Sequence, residues 1–573
     1  MNIVRHLPAL LALLLLSLAT PVHAQRRQLL EYPSIHSPTI GTRGMVVSQN
    51  ATASGVGAEI LRSGGNAVDA AIATAFALAV TLPRAGNLGG DGFMTIYDAR
   101  SNRVQVIDFR GVAPARAVPE LFVDAQGSEI AEASQSYIAP AVPGTVAGLY
   151  LAHSRYGRLP WRRLLEPAIR LASRGVVLSA DEAFVFSWGR ERLSVSEAAR
   201  RTFFKPDGGL YVAGETLRQP ELAQSLRLIA RGGADAFYRG PIARRIADDM
   251  ARHGGLITLE DLAAYRPIER EPLVGNYRGV TIYTTPPASA GGATLLNMLN
   301  ILERFELRPL GAGSAASLHL MAEAMKLGYS DRYRFLGDTG FVRAPVSGFI
   351  SKAYAAERAR LISPDRARPA DEMGAGDPWR YESPQTTQLS IPDSEGNADS
   401  TTYPLGSDFG SGVMIEGTGI LLNNQMNNFS HEEAWRARRE GRPAPLNALQ
   451  PGKRMLSTMM PTIVFKEGRP WLITGTPGGS TIIDTVLQIL VNIVDFGLNV
   501  EEATHQPRIY QGTTASLRVE PNFNPDTVAA LAARGHRITS DETMGSAQSI
   551  MIENGLFLGA ADPRRPGAEA VAP

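Results

Sequence analysis

A stretch without apolar periodicity, residues 365–384, divides this chain into two parts of different character. The stretch is rich in Pro, Gly, Asp and Glu, which is typical of an exposed, mobile connection. Before it, short apolar runs and Gly-rich turns alternate with longer helical patterns. After it, short apolar runs separated by turns are typical of sheet strands. Strands in both parts with flanking helices favour a layered αββα sandwich, although propensity alone does not distinguish this from other α/β folds.

The individual elements are predicted from the spacing of apolar residues. Residues 66–82 are apolar on nearly every side, which indicates a buried helix. Residues 145–156, 164–173 and 480–494 have apolar positions at helical spacing. The chain contains no internal repeat. Short apolar runs predict strands at residues 45–49, 387–391, 412–415, 420–422, 462–465 and 471–474.

The composition excludes several classes of protein. Of 573 residues, 57 are Lys or Arg and 56 are Asp or Glu, and the net charge of +1 gives no electrostatic reason to expect nucleic acid or an anionic membrane as a partner. The chain has no cysteine, which excludes a disulfide scaffold, a Cys hydrolase and a lipoprotein acylated on Cys. A hydrophobic content of 44% is ordinary for a globular enzyme.

The N-terminus carries a targeting segment. Two basic residues precede an apolar run over residues 7–18, and a small-x-small site ends at Ala24. This order predicts a secretory signal peptide over residues 1–24, cleaved before Gln25, and a periplasmic or secreted mature protein. An uncleaved membrane anchor is the alternative, but the run is shorter than the ~20 residues that a spanning helix needs.

Several motifs of other enzyme classes are incomplete in this chain. His431-Glu432 resembles the start of a zinc-binding helix, but Trp435 stands where the second His would be. Gly452-Lys453 lacks the Ser or Thr of a phosphate loop, and there is no Gly-x-Ser-x-Gly elbow. The nine His residues show no ligand spacing, so we expect neither a metal nor a cofactor.

The most informative motifs begin with a Thr pair, Thr386-Thr387, which follows the connection. Alone, a Thr pair that opens a strand reflects β-propensity, and a Gly-Gly pair reflects a turn. Together and in this order, the motifs resemble the gamma-glutamyltransferase family of N-terminal-nucleophile hydrolases over nearly the whole chain after the leader. The resemblance is carried by GGNAVDAA at 64–71, AGNLGG at 85–90, PGTVAG at 143–148, QTTQLS at 385–390, GILLNNQMNNFS at 419–430, LSTM at 456–459 and GTPGGS at 475–480.

This resemblance implies that the chain cuts itself at the Gln385–Thr386 bond and that Thr386 becomes the nucleophile. The freed α-amino group would be the base that activates the Thr hydroxyl. Its ordinary pKa of about 7.7–8.0 suits proton transfer near neutral pH. The products would be a large chain, residues 25–385, and a small chain, residues 386–573, which together form one αββα heterodimer.

The resemblance also assigns an oxyanion site to Gly478 and Gly479. Their backbone N–H groups would stabilise the oxyanion of the tetrahedral intermediate. They precede the predicted helix at residues 480–494, whose N-terminus favours negative charge. The alternative is a tight turn between a strand and a helix, and the two interpretations are compatible.

Two subsites for the acyl group are implied by the same resemblance. Arg110, Ser457 and Thr458 match residues that bind the α-carboxylate, for which a guanidinium is well suited. A structural ion pair is the alternative role for Arg110. Gln425 and Asn428 match residues that hold the α-ammonium.

The sequence departs from the family pattern in both the ammonium subsite and the surroundings of the nucleophile. Asn428 stands where the family usually has Asp, and Gly406 where it usually has Asn, so an ammonium would meet an amide dipole instead of a carboxylate. Pro404 replaces a Thr whose hydroxyl usually steadies the nucleophile, and Gln388 replaces a His. Thr402 lies two residues before Pro404 and would face the same side of a strand, where its hydroxyl could compensate.

Two enzymatic functions and one binding function remain open at this point. The first is a gamma-glutamyltransferase or glutathione hydrolase, which passes a gamma-glutamyl group from Thr386 to water or to an acceptor amino acid or peptide. The second is a glutaryl-type acylase, favoured by Asn428 and Gly406. The third is an inactive binding protein, disfavoured by the intact catalytic residues. Both enzymes would act on small amides. Neither would have nucleic acid as a partner, or a membrane after loss of the leader. Residues 430–453 match a loop that covers the site in the family.

Overall fold

Two β-sheets stack face to face in this structure, a computed structural model that describes residues 34–382 and 396–573. Contacts between the sheets include a hydrogen bond of 3.1 Å from Ser400 Oγ to the carbonyl of Thr474. The rings of Tyr97 and Phe465 pack edge to face with centroids 5.2 Å apart. Helices cover the outer faces, so the expected αββα fold is confirmed.

The described strands are short, as the runs separated by turns predict. They are β1 Thr39–Gly41, β2 Val46–Ser48, β3 Phe93–Asp98, β4 Arg103–Asp108, β5 Val176–Val177, β6 Thr216–Leu217, β7 Ile268–Arg270, β8 Leu273–Tyr277, β9 Val280–Thr284, β10 Ala398–Thr402, β11 Met414–Ile415, β12 Ile420–Leu421, β13 Thr462–Lys466, β14 Arg469–Gly475, β15 Ile509–Tyr510, β16 Ser516–Val519, β17 Arg537–Ser540, β18 Gln548–Glu553, β19 Leu556–Ala561 and β20 Glu569–Val571.

Both main sheets combine strands from the two parts of the chain. The larger sheet has the order β1-β19-β18-β14-β13-β9-β8, and the smaller has the order β10-β3-β4-β7. Every neighbouring pair in both sheets is antiparallel. Because β10 follows residue 385 and pairs with β3, which precedes it, the two parts share backbone hydrogen bonds in one sheet.

Three largely buried helices pack on the larger sheet. Gly291–Leu302, Ala315–Phe335 and Ile482–Val494 are buried over most of their length. They share one apolar cluster with Ile282 of β9 and Val464 of β13. Gly291–Leu302 and Ile482–Val494 are apolar on nearly all sides, so other elements must cover them. Ala315–Phe335 also buries charged side chains, among them Glu323 and Lys326, which pair with each other.

The helix Ala67–Thr81 occupies the corresponding position on the smaller sheet. Its start is fixed by a capping box, in which Asn66 Oδ1 accepts from the N–H of Asp69 at 2.9 Å and Asp69 Oδ2 accepts from the N–H of Asn66 at 3.1 Å. Its apolar side chains share a cluster with Met94 and Ile107 of β3 and β4. The buried helix predicted at residues 66–82 is therefore confirmed.

The other described helices include those predicted at residues 145–156 and 164–173. Within the described ranges, no helix is long and apolar enough to cross a membrane. The described part from Pro38 to Pro573 forms one unit. The 3-10 turns are Pro119–Leu121, Ala131–Gln135, Arg308–Leu310, Pro378–Tyr381, Gln425–Asn428 and Gly479–Thr481. The remaining described α-helices are Ala51–Arg62, Thr145–Tyr156, Trp161–Arg174, Ala180–Trp188, Arg190–Leu193, Glu197–Phe203, Pro220–Gly232, Asp235–Tyr238, Pro241–Arg252, Leu259–Ala264, Val346–Phe349, Lys352–Ala359, Ala370–Met373, His431–Arg439, Val500–His505 and Pro525–Ala533.

The connection before residue 385 differs in part from its prediction. A helical turn, Ala370–Met373, has both ends buried, and the 3-10 turn Pro378–Tyr381 follows it. The hydroxyl of Tyr381 donates to Glu357 Oε2 at 2.6 Å. Most residues of the connection up to residue 382 are exposed, as predicted. The two turns were not predicted, because elements of a single turn are too short for an apolar period to show in sequence. The strand predicted at 387–391 lies outside the described residues.

Candidate functional site

One cavity brings together every described residue that the resemblance assigns to the site. They come from the loop after β4, the 3-10 turn after β12, the segment before β13 and the turn after β14. Thr386, the expected nucleophile, lies outside the described residues, as do Gln385 and Gln388. The site residues that line the cavity are Arg110, Gln425, Asn428, Ser457, Thr458, Gly478 and Gly479, together with Thr402, Pro404 and Gly406.

Arg110 forms a buried ion pair. Its Nη1 donates to both carboxylate oxygens of Asp91, at 2.8 and 2.9 Å. Its Nε donates to the carbonyl of Met455 at 3.3 Å, and its Nη2 makes only a long contact of 3.5 Å with the carbonyl of Leu456. The ion pair that was left open as an alternative is therefore present, and Nη2 retains an N–H group for a ligand.

Asp91 was not predicted from the sequence, yet it lies at the centre of this arrangement. Besides Arg110, it accepts from the N–H of Gly111 at 2.8 Å and from Nε2 of Gln425 at 3.1 Å. Burial raises the pKa of Asp91, while the guanidinium of Arg110 and the N–H of Gly111 oppose this rise. Both oxygens accept two hydrogen bonds each, so these contacts favour the ionised carboxylate.

The two amides of the expected ammonium subsite are hydrogen-bonded to each other. They belong to the 3-10 turn Gln425–Asn428. The N–H of Gln425 donates to Asn423 Oδ1 at 3.0 Å, which anchors the turn. Nδ2 of Asn428 donates to Oε1 of Gln425 at 3.1 Å. Gln425 is buried, whereas Asn428 is exposed on the cavity.

Ser457 and Thr458, which are expected to bind the α-carboxylate of a substrate, differ in the hydrogen bonds that their hydroxyl groups make within the protein. The backbone of Ser457 is held by the N–H of Ala290, which donates to its carbonyl at 3.0 Å. Ser457 Oγ accepts from the N–H of Met459 at 3.0 Å, which leaves its hydroxyl proton for a ligand. Thr458 Oγ1 donates to the carbonyl of Gly479 at 2.7 Å and so joins the expected carboxylate subsite to the Gly-Gly turn.

Gly478 and Gly479 form the turn before the helix Ile482–Val494. Both have positive φ, +137° and +58°, which favours glycine. A Cβ on Gly478 would lie 2.6 Å from Thr481 Oγ1. No acceptor in the described part of the chain contacts either N–H group. The tight turn is thus present, and it leaves two donors at a helix N-terminus for an oxyanion.

The structure shows why residue 406 carries no side chain. Gly406 has a φ of +105°, and a Cβ there would lie 2.2 Å from Asn424 Oδ1. That oxygen accepts from the N–H of Ser407 at 3.0 Å. Thr402 ends β10, where it pairs with Phe93 of β3, and its hydroxyl lines the cavity. Thr386, which this hydroxyl would steady in place of the one lost at Pro404, lies outside the described residues.

Packing and hydrogen bonds near both ends hold the covering segment, residues 430–453, in place. Near its start, His431 is buried and stacks on the ring of Phe122 at 4.4 Å between centroids, and its Nε2 shares a hydrogen bond of 2.9 Å with the carbonyl of Met426. Near its end, Asn447 Nδ2 donates to the carbonyl of Asn428 at 2.7 Å, and its Oδ1 accepts from the N–H of Leu456 at 2.8 Å. One side chain therefore links the expected ammonium subsite to the segment that leads into Ser457 and Thr458.

The fold also assembles a group that the spacing of histidines did not predict. Ligand atoms of His319, Glu323 and His536 lie within 4.8 Å of one another, and all three residues are buried. His319 Nδ1 and His536 Nε2 share a hydrogen bond of 2.8 Å, and Glu323 accepts from Lys326 Nζ at 2.6 Å. Each of the three side chains therefore has a hydrogen-bond partner within the protein.

Comparison with known proteins points to a single family. The family profile described as gamma-glutamyltranspeptidase matches residues 53–572. The glutathione hydrolase proenzyme of Escherichia coli (strain K12) is 46% identical over 543 residues, which covers 92% of each chain. The acylase ACY 1 proenzyme of Pseudomonas sp. (strain SE83) is 37% identical over 541 residues, covering 92% of this chain and 94% of the relative. Cephalosporin acylase from Bacillus halodurans superposes with a TM-score of 0.83 at 31% identity, covering 95% and 98% of the two chains.

Proposed function

The chain belongs to the gamma-glutamyltranspeptidase family, and from this membership we infer that it is a glutathione hydrolase, an N-terminal-nucleophile enzyme that cleaves gamma-glutamyl amides. The observation that carries the proposal at the level of residues is the shared cavity. Seven residues from four separate segments, each assigned to the site by the resemblance, line it together. The proposal for Thr386 rests on the resemblance alone.

In the proposed mechanism, the α-amino group of Thr386 removes the proton of its own hydroxyl. The hydroxyl oxygen then attacks the γ-carbonyl carbon of the substrate, and the carbonyl oxygen becomes an oxyanion. The N–H groups of Gly478 and Gly479 donate to this oxyanion. Collapse of the intermediate breaks the C–N bond, and the protonated α-amino group returns its proton to the leaving amine. The product of this half-reaction is a gamma-glutamyl ester on Thr386.

The second half-reaction repeats these steps with a new nucleophile. Water, or the amine of an acceptor amino acid or peptide, loses a proton to the α-amino group and attacks the ester carbonyl. The ester C–O bond then breaks, and the oxygen of Thr386 recovers its proton. Water gives hydrolysis and an amine gives transpeptidation. The covering segment, held by Asn447 between the two subsites, would govern access of the acceptor.

The α-carboxylate of the substrate has two donors in this proposal. Nη2 of Arg110 supplies a charged N–H group, and Ser457 Oγ supplies a hydroxyl proton. Thr458 contributes mainly through its hydrogen bond to the carbonyl of Gly479, which keeps the carboxylate subsite and the oxyanion turn in register. The α-ammonium would face Asn428.

Self-cleavage at Gln385–Thr386 would leave a large chain, residues 25–385, and a small chain, residues 386–573. The interleaved sheets favour a stable heterodimer after the cut. Strand β10 of the small chain pairs with β3 of the large chain over five residues, and β13 pairs with β9. Removal of residues 1–24 as a signal peptide would place the heterodimer in the periplasm or outside the cell; that segment lies outside the described residues.

A glutaryl-type acylase is the second candidate. The specific observation in its favour is the absence of a carboxylate at position 428, together with the steric exclusion of a side chain at position 406. The test is hydrolysis of gamma-glutamyl and glutaryl 4-nitroanilides by the purified protein. We expect turnover of the gamma-glutamyl substrate. Turnover of the glutaryl substrate alone would replace the first proposal by the second.

A further inference from the structure

Resting on the proposed function, we propose that Asp91 is a positioning residue that sets the direction of the Gln425 and Asn428 amides and thereby turns the carbonyl oxygen of Asn428 toward the substrate's α-ammonium. Asp91 is fully buried and touches no substrate in this account. Its effect passes through two consecutive hydrogen bonds. With this carbonyl oxygen, a subsite without a carboxylate would still bind a cation.

The first step is that Asp91 can only accept hydrogen bonds. Two N–H contacts from Arg110, one from Gly111 and one from Gln425 fill the four acceptor positions of its carboxylate. A proton on either oxygen would meet a donor at about hydrogen-bond distance. The group facing Asp91 from Gln425 must therefore be the NH2 end of the amide.

The second step carries this direction to Asn428. With Nε2 of Gln425 fixed on Asp91, its Oε1 faces Asn428 and needs a donor. Nδ2 of Asn428 supplies that donor at 3.1 Å. Within the described part of the protein, Oδ1 of Asn428 has no hydrogen-bond donor, and the side chain lines the cavity with Arg110 and Ser457. Its carbonyl dipole is thus available to an ammonium.

The isosteric change Asp91→Asn would reverse this chain of amides. The amide oxygen of the new Asn would keep the position that accepts from Gly111, because this backbone N–H cannot turn away whereas the amide of Gln425 can. Its NH2 group would then face Gln425, which would turn to present Oε1. Asn428 would turn in response and present its own NH2 group to the cavity. A donor facing an ammonium repels it, so selectivity for the α-amino substrate should fall.

The same chain couples Asp91 to any charge placed at position 428. In Asn428→Asp, the new carboxylate would lie beside Oε1 of Gln425, and both groups are acceptors. Gln425 can turn toward it only by giving up Asp91. We therefore expect Asn428→Asp to raise selectivity for the α-amino substrate more in the Asp91→Asn background than in the wild type.

The experiment measures kcat/KM for gamma-glutamyl and glutaryl 4-nitroanilide with the wild type, the two single variants and the double variant. The two substrates share the terminal carboxylate and differ by the α-ammonium, so their ratio cancels effects that reach the carboxylate through Arg110. We expect Asp91→Asn to lower the ratio of gamma-glutamyl to glutaryl activity about tenfold or more, as for a hydrogen bond to a charged group. Equal losses on both substrates would show that Asp91 is only the counterion of Arg110.

Gln425→Met provides a second route, because it interrupts the chain of amides but leaves the pair of Asp91 and Arg110 intact. In this background, Asp91→Asn should no longer change the ratio, and a persistent tenfold change would overturn the proposal. Calorimetric binding of L-glutamate and glutarate to the mature protein gives the same comparison without turnover. A wild type inactive on both anilides would contradict the proposed function, and the calorimetric ratio would then decide the role of Asp91.

Discussion

Gly478 and Gly479 share one turn but differ in the space beside them, which gives a prediction at the scale of single residues. A Cβ on Gly478 would meet Thr481 Oγ1 at 2.6 Å, whereas no described atom lies within 4 Å of a Cβ on Gly479. We expect Gly478→Ala to displace the turn and to lower kcat about a hundredfold, the value of a lost oxyanion donor. Gly479→Ala should keep the turn, but its free energy of unfolding should fall by roughly 1–2 kcal/mol because a side chain disfavours the left-handed backbone.

The measurement is kcat on gamma-glutamyl 4-nitroanilide together with the thermal midpoint of each variant. Each variant serves as the control of the other, because both add one methyl group to the same turn. Equal losses of kcat would show that crowding at Thr481 does not decide the position of the donors.

Most of the candidate site could be predicted because its residues occur in short local motifs. Ser457-Thr458 and Gly478-Gly479 are adjacent pairs whose order along the chain carries the resemblance. The role of Asp91 could not be predicted, because its contact with Gln425 joins residues 334 positions apart. A signal did exist in the sequence. Asp91 is the one charged residue in the run from 85 to 97, where a buried charge needs a partner.

At the scale of elements, the covering segment depends on Lys453. This residue is fully buried, burial lowers the pKa of its amine, and Nζ donates to the carbonyls of Leu446 at 2.8 Å and Ala448 at 2.9 Å. Lys453→Met keeps the length of the side chain but leaves these two carbonyls without a donor. Each unsatisfied carbonyl should lower the free energy of unfolding by about 1–3 kcal/mol. We expect faster proteolytic cleavage within residues 440–450 and a higher KM for the gamma-glutamyl anilide.

The matched control is Arg436→Met, which removes an exposed cation from the helix His431–Arg439 of the same segment. Its surface pair with Glu432 contributes little to stability, so cleavage and KM should stay at wild-type values. Lys453→Met with wild-type cleavage and KM would mean that other contacts hold the segment.

The elements that could be predicted are those long enough to show a period. The helices Ala67–Thr81 and Ile482–Val494 span several turns, and their apolar character is visible in sequence. The turn Ala370–Met373 is too short for this, and the strand Met414–Ile415 covers only half of its predicted run. Short elements are held by contacts with distant parts of the chain, which sequence patterns do not record.

At the scale of the whole molecule, a buried histidine pair makes stability depend on pH. His536 and His319 join the start of β17 to the helix Ala315–Phe335. Burial lowers the pKa of His536 to about 3 and also lowers that of His319, and the cations Lys326 and Arg534 act in the same direction. The unfolded chain takes up protons at a pKa near 6.5. Stability is therefore lost as the pH falls from about 6.5 toward 3.

The measurement is the thermal midpoint at pH 7 and at pH 5 for the wild type and for His536→Gln, whose amide can still donate to His319. We expect the wild type to lose more of its midpoint between these pH values than the variant does. The same loss in both proteins would assign the acid sensitivity to other groups.

The layered fold could be anticipated, but the arrangement of its strands could not. Strand signals on both sides of the connection indicate a sheet built by both parts of the chain. They do not say that β10 pairs with β3 or that β13 lies between β14 and β9, because pairing partners depend on contacts remote in sequence. This pairing would hold the two chains together after the proposed cut before Thr386.

Self-cleavage before Thr386 creates the proposed nucleophile, and a mass spectrum of the denatured, purified protein shows whether the cut occurs. We expect two chains, with Thr386 as the first residue of the smaller. Thr386→Ala should remain one inactive chain, whereas Thr387→Ala, the matched change one residue later, should still be cut. A wild type that stays a single chain and hydrolyses the gamma-glutamyl anilide would contradict the account.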